Sequence, residues 1–139
     1  MKPKVKVVFD ANVYLSAIIF GGNPRQCLEL AKSREVELFT SHAILLEIAR
    51  NLQNKFGWIE WEVEEVIKGI GEFATLIFPQ STIKVITAHP QDNKILEAAL
   101  GAKADYIISG DKKHLLSLKQ FRDIKIISAK DFLDFYYEN

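Results

Sequence analysis

Apolar residues along the chain follow two periods that take turns. Val5–Phe9 is a short, nearly continuous apolar run of the kind buried in a parallel sheet. Gly21-Gly22-Asn23-Pro24 reads as a turn, and Pro24 suits the first turn of a helix running to about Ser33. Val36–Thr40 is a second strand. Ser41 can then cap a helix whose apolar residues Ile44, Leu45, Ile48 and Leu52 recur at helical spacing. Phe56-Gly57 interrupts it. A further helix is predicted from about Trp58 to Phe73, with Ile59, Val63, Val66, Ile67 and Ile70 inward and Glu60, Glu62, Glu64 and Glu65 mostly on its wet side. Phe78-Pro79 reads as the end of that helix, Ile83–Ile86 as a third strand, and Pro90 as the start of a helix stopped by Gly101 as its C′ glycine. Ala104–Ser109 is the fourth strand, a short segment near His114–Leu118 follows, and Ile124–Ile127 is the fifth. Ser128-Ala129-Lys130-Asp131 has the form of a capping box for a last helix carrying Phe132, Leu133 and Phe135.

Strands alternate with helices throughout, which predicts a three-layer α/β/α sandwich around a mostly parallel sheet of about five strands. With 139 residues the chain is expected to form one domain, residues 1–139. Hydrophobic residues make up 48% and charged residues 26%, which favours a globular fold over disorder. No apolar run approaches the roughly 20 residues that span a bilayer. Met1-Lys2-Pro3 leads straight into a strand, so no signal peptide is expected. A single cysteine, Cys27, precludes an intrachain disulfide, fits a reducing cytoplasm and reads as buried apolar filler. Lys plus Arg equals Asp plus Glu at 18 each, so net charge does not announce a nucleic-acid binder.

In such a fold the C-terminal strand ends and the following helix N-termini share one edge of the sheet, where α/β proteins place ligands. Asp10 ends the first strand and Asp111 follows the fourth. Glu47 lies in the second turn of the helix after the second strand, and Asp92 in the first turn of the helix after His89-Pro90. Asp105 and Asp123 precede their strands and belong at the opposite edge. Asp131 shares the first edge but has its capping box as a sufficient explanation. Singly, each of the four has an ordinary role: a turn residue for Asp10 and Asp111, a helix N-terminal acid for Asp92, a solvated glutamate for Glu47. Together those roles weaken. Two carboxylates 4 Å apart repel by about 4 kcal/mol at an effective dielectric near 20. Four acids in one cleft therefore need a cation, or some stay protonated. An all-oxygen set suits Mg²⁺ or Mn²⁺. Zinc is unsupported, because Cys27 is alone and His42, His89 and His114 show no ligand spacing.

The stretches "VVFDANVYLSAIIF", "SHAILLEIARNL", "HPQDNKILEAALGAKADYIISGDKKHLL" and "IISAKDF" resemble a PIN domain, notably the bacterial and archaeal VapC-like toxin group, in order over about residues 5 to 135. The resemblance implies a metal-dependent endoribonuclease whose acidic Mg²⁺/Mn²⁺ site is, by position, Asp10, Glu47, Asp92 and Asp111. Asp10, Asp92 and Asp111 would be the main ligands. Glu47 would bind directly or through water and help to orient the nucleophile. Asn12 matches a position that orders the site from behind, and Ser41 matches more weakly. Relatives often carry further acids where this chain has His89 and Lys113-His114.

The partners so implied are RNA, a second copy of the chain and an inhibitory antitoxin. Lys112, Lys113 and Arg25 are the expected phosphate contacts beside the acids. Trp58, Trp61, Phe73, Phe135, Tyr136 and Tyr137 are more rings than a small domain buries, which suggests a homodimer or antitoxin surface. An aspartyl phosphatase would want a second acid where Asn12 stands, and a receiver domain adjacent acids after the first strand. The surviving alternatives are a non-catalytic PIN-like module that binds RNA or protein, and a housekeeping RNA-processing nuclease.

Overall fold

The computed structural model describes residues 3–86 and 89–138. Its strands are β1 (Lys6–Phe9), β2 (Glu37–Thr40), β3 (Ala74–Leu76), β4 (Tyr106–Ile108), β5 (Gln120–Phe121) and β6 (Ile124–Ile127). Its helices are α1 (Ala11–Ile19), α2 (Gly22–Lys32), α3 (His42–Asn54), α4 (Glu60–Phe73), α5 (Asn93–Ala102), α6 (Leu115–Leu118) and α7 (Ala129–Glu138), with a 3₁₀ turn at Pro90–Asp92 leading into α5. The sheet runs β3-β2-β1-β4-β6-β5, with β5 as its antiparallel edge. The other pairings are parallel, as the alternating pattern predicts.

Strand β1 lies at the centre, paired with β2 through Val7↔Leu38 and with β4 through Phe9↔Ile108. Val7 and Val8 point to opposite faces, yet both are fully buried, so helices cover the sheet on both sides. Helix α5 lies across β1, β2 and β4, while α2 packs against both α1 and α7. The chain winds from β1 to β2 and β3 on one side, then crosses back to β4. The order therefore reverses at β1/β4, and the crevice outside the C-terminal ends of these two strands is the natural ligand site.

Several expected elements are placed differently. The segment 11–19, which the hydrophobic pattern leaves unassigned, is α1. Ile83–Ile86 is no strand. Ile83 and Ile86 are buried, but their backbone is held by side chains of α5: Ile83 N donates to Glu97 Oε2 at 3.0 Å, Ile86 N donates to Asn93 Oδ1 at 2.9 Å, and Asn93 Nδ2 donates to Ile86 O at 2.9 Å. The sheet position expected there is taken by β3, which follows α4 directly; that helix ends at Phe73, the expected limit, and Phe78-Pro79 lies beyond the strand. Gly101 is inside α5, and the left-handed cap is Lys103 at φ 53°. What Gly101 supplies is close approach, since a Cβ there would meet Ile77 Cγ2 at 3.0 Å. The Gly21-Gly22 turn does need glycine, with φ 87° and 66° joining α1 to α2 in a tight corner. On α4, Val63 and Ile70 are buried as expected, whereas Ile59 is exposed. Trp61 is 63% exposed, while Trp58 packs partly against the core. Cys27 is buried, and burial pushes its thiol up to about 12, the inert filler expected. No helix among the described residues is long and apolar enough to cross a membrane.

Candidate active site

The pairing Phe9↔Ile108 sets the next residues, Asp10 and Ser109, side by side at the ends of β1 and β4. Ser109 Oγ donates to Asp10 Oδ2 at 2.8 Å and accepts from Asp111 N at 3.0 Å. One buried hydroxyl, 99 residues from Asp10 in sequence, thus ties the first acid to the last. Asp10 is only 3% exposed and caps α1, its Oδ1 accepting from Asn12 N at 3.3 Å. Asp111 folds its own loop: Oδ1 accepts from Lys113 N and His114 N, both at 3.2 Å, and Oδ2 from Leu115 N at 3.4 Å.

A cleft of about 570 Å³ opens over this corner. Asn12, Glu47, Asp92, Ser109 and Asp111 line it, and Asp10 lies just behind its wall. Asp92 is buried, and His89 Nδ1 stands 2.9 Å from its Oδ2, an ion-pair contact when the imidazole is protonated. That same oxygen has no aligned hydrogen-bond donor.

The electrostatics show how crowded the acids are. Burial raises Asp10, and Asp111 adds to this, while the Ser109 and Asn12 hydrogen bonds oppose it. Glu47 is raised by burial and then by Asp10, with His89 and Lys55 opposing. Asp92 is pushed up to about 6 by burial and by the Asp111 carboxyl, against the pull of His89. Burial acts on Asp111 too, but the hydrogen bond from Asp92 and the N–H groups of His114 and Leu115 outweigh it and hold it below the ordinary value. Asp92 and Asp111 are therefore near enough to share a proton. Among the described residues no three ligating side chains are already gathered into one ligand set. The donor chemistry nonetheless fits a hard divalent cation: carboxylate oxygens only, mutually repelling, one of them buried and lacking a donor.

The other expected residues are spread more widely. Ser41 is buried and caps α3, its Oγ accepting from Ile44 N at 3.4 Å. It lines a separate hollow with His42 and Phe78. Lys112 and Lys113 are exposed in the loop between Asp111 and His114, but neither lines the cleft. Arg25 does not face the acids. Its Nε donates to Ala17 O at 2.9 Å and its Nη2 to Ile18 O at 3.2 Å, closing the C-terminal end of α1. Asp105 lies at the opposite edge, as expected, accepting from Lys6 N at 2.8 Å, and Asp131 N is held by the Ser128 cap at 3.1 Å.

Sequence reasoning missed three features of the cleft. Ser109 reads only as the last residue of a strand, and no local pattern marks its role. Lys130 lines the cleft, although its Nζ is paired with Asp134 at 2.8 Å. His89 and His114, which show no ligand spacing, both line the cleft and stack with ring centroids 5.5 Å apart and planes 5° apart. No spacing in the sequence marks this pair, which meets only through the fold.

The model of the PIN domain family matches residues 6–113, and the chain belongs to that family. It is 30% identical over 146 residues to the uncharacterized protein MJ1680 of Methanocaldococcus jannaschii, covering 96% of this chain and 92% of that one. Among solved structures, it is similar to VapBC-1 of nontypeable Haemophilus influenzae (TM-score 0.64, 15% identity, 91% of this chain and 99% of that chain). VapBC2 of Rickettsia felis, solved bound to a DNA fragment from its promoter, gives a TM-score of 0.62 at 13% identity, over 88% and 97% of the two chains. PAE2754 of Pyrobaculum aerophilum gives 0.63 at 15% identity, over 97% and 91%. At these identities the structural likeness speaks for the fold. PIN domains are generally nucleases that use divalent metals.

Proposed function

We propose that this protein is a metal-dependent endoribonuclease, the toxin component of a toxin–antitoxin pair, hydrolysing RNA phosphodiester bonds. The observation that carries the reading is the convergence of Asp10, Glu47, Asp92 and Asp111 from four separate segments on one cleft, where burial and mutual repulsion raise three of them. Such an arrangement is costly to the fold unless it serves a bound cation. Asp10, Asp92 and Asp111 would hold Mg²⁺ or Mn²⁺, with Glu47 directly or through water. When bound, the ion supplies charge neutralisation and polarisation at the phosphate.

The chain's own groups do the rest. Ser109 fixes the Asp10 carboxylate, and the turn at Asn12 holds its other oxygen. The Asp111 loop, closed on its own carboxylate, sets that group rigidly against Asp92. Glu47, half-buried and raised, is suited to take a proton from the attacking water as the phosphorus–oxygen bond to the leaving group breaks. Lys112 and Lys113 would meet flanking phosphates from solvent. RNA, an antitoxin and a second copy of the chain are the proposed partners, and the exposed Trp61 and Tyr137 rings suit a protein contact.

Incubation of the pure protein with total RNA tests the reading. Cleavage with Mn²⁺ or Mg²⁺, lost with EDTA and in Asp10→Asn, is expected. Intact RNA under every condition would leave the non-catalytic RNA- or protein-binding module. An antitoxin-like reading frame beside the gene separates a toxin from a housekeeping nuclease.

A further inference from the structure

The cleft does not end at the acids. A second hollow of about 510 Å³ adjoins it, and Asn12, Glu47 and His89 line both. Its outer part is formed by Arg50, Asn51, Lys55 and Lys94. Helix α3 with its C-cap Lys55 supplies most of this wall. Residues three and four apart share a helix face, so Glu47, Arg50, Asn51 and Lys55 form one stripe that changes from acidic to basic over about 12 Å of axis. Lys94 is held by Glu97 at 3.4 Å, but Arg50 and Lys55 have no ion-pair partner among the described residues. Where the two hollows meet, the His89 ring is fixed by Asp92 on one side and stacked on His114 on the other. Its side chain is still 49% exposed at the junction.

We propose that the substrate strand runs from the acidic cleft along this face of α3, with its phosphates on Arg50 and Lys55 and one base stacked on the His89–His114 ring pair. This rests on the ribonuclease reading above and deepens it by naming the side chains that hold the strand beyond the acids. Acids at the reaction centre repel phosphates outside the reach of a cation, so a strand needs positive contacts beyond them. Arg50 and Lys55 are the unpaired cations of the adjoining hollow, whereas Arg25 is committed to α1. Every base has a π-face, so an aromatic platform grips a strand whatever its sequence, and a duplex hides its bases from such a platform.

The test is fluorescence anisotropy with a short single-stranded RNA of cleavage-resistant phosphorothioate backbone on the otherwise wild-type protein in Mg²⁺ buffer, across a salt series. Each lost phosphate contact on a single strand reduces the log–log salt slope by about 0.7, so Arg50→Ala/Lys55→Ala is expected to flatten it by about 1.4. His114→Ala is expected to bind roughly 5- to 100-fold more weakly with an unchanged slope, the loss of one base–aromatic stack. His114→Phe, which keeps the ring, is expected to restore binding. An unchanged slope in the Arg50/Lys55 variant, or equal losses in His114→Ala and His114→Phe, overturns the path. If that happens while wild type still cleaves RNA with metal, the nuclease reading stands alone. If wild type neither binds nor cleaves RNA, both fall.

Discussion

Replacing Asp92 by Asn should stabilise the metal-free protein, although it removes a charged group from a buried position. Burial and the Asp111 carboxyl push Asp92 up from the ordinary 3.8 to about 6. A raised carboxyl contributes stability that is fully present below its unfolded value and lost as pH rises through its folded one. Above about pH 6 the ionised Asp92 therefore costs the fold up to about 3 kcal/mol, the free-energy equivalent of the distance from 3.8 to about 6. Two effects reduce the gain from its removal. Asp111 is held low partly by the same shared hydrogen bond, and an acid in the first turn leading into α5 has a favourable helix-dipole interaction of a few tenths of a kcal/mol. A net stabilisation of about 1–2 kcal/mol is expected, or about 3–8 °C in melting temperature for a domain of this size. The assay is thermal unfolding in EDTA at about pH 8 and about pH 3, below the ordinary 3.8, where the carboxyl is protonated in both states and the difference should vanish. Adding Mn²⁺ at about pH 8 should raise the melting temperature of wild type by mass action and do little for the variant. A variant less stable than wild type at both pH values, with wild type indifferent to Mn²⁺, would mean that Asp92 is a structural residue.

Other consequences follow from the same corner. Cleavage should lose rate as pH falls through about 6, because protons compete for the oxygens a cation needs, and raising Mn²⁺ should move that acid limb lower; a limb insensitive to metal concentration would detach Asp92 from the ion. Ser109→Ala removes both a donor to Asp10 and an acceptor for Asp111 N, so chemical denaturation should show a loss of about 1–3 kcal/mol and the RNase assay a lower rate. Lys112→Ala/Lys113→Ala should weaken RNA binding and its salt dependence while leaving stability within about 0.5 kcal/mol, since both side chains are exposed. Light scattering should report a dimer, and substituting the exposed Trp61 should shift it towards monomer.

Sequence pattern reads best where one residue's neighbours decide its environment. β1 and β4 are legible because a strand covered on both faces is nearly continuously apolar, and β2 and β6 remain legible although each carries one exposed charge, Glu37 and Lys125. Helix α1 is hidden by the same property. Val13, Tyr14, Leu15 and Ala17 are all buried, so Asn12 and Ser16 alone mark a polar face, too little to reveal the helical period, and its cap, Asp10, serves the site as well. Ile83–Ile86 has the composition of a strand, but Glu97 and Asn93 reach back from α5 to satisfy its backbone, a tertiary event with no local signature. The four acids are legible because strand ends and helix starts share an edge in any parallel α/β fold. Long-range details are not. Arg25 turns to the carbonyls of α1, Ser109 joins Asp10 to Asp111, and the His89–His114 stack depends on how two separate loops fold over the cleft.

Asp10, Glu47, Asp92 and Asp111 should together hold a divalent cation. A titration of Mn²⁺ followed by electron paramagnetic resonance tests it without relying on any substrate. Wild type should sequester the ion, and Asp10→Asn and Asp111→Asn, each verified as folded, should leave it free in solution. Equal Mn²⁺ uptake by wild type and both folded variants, or none by wild type, would contradict the account.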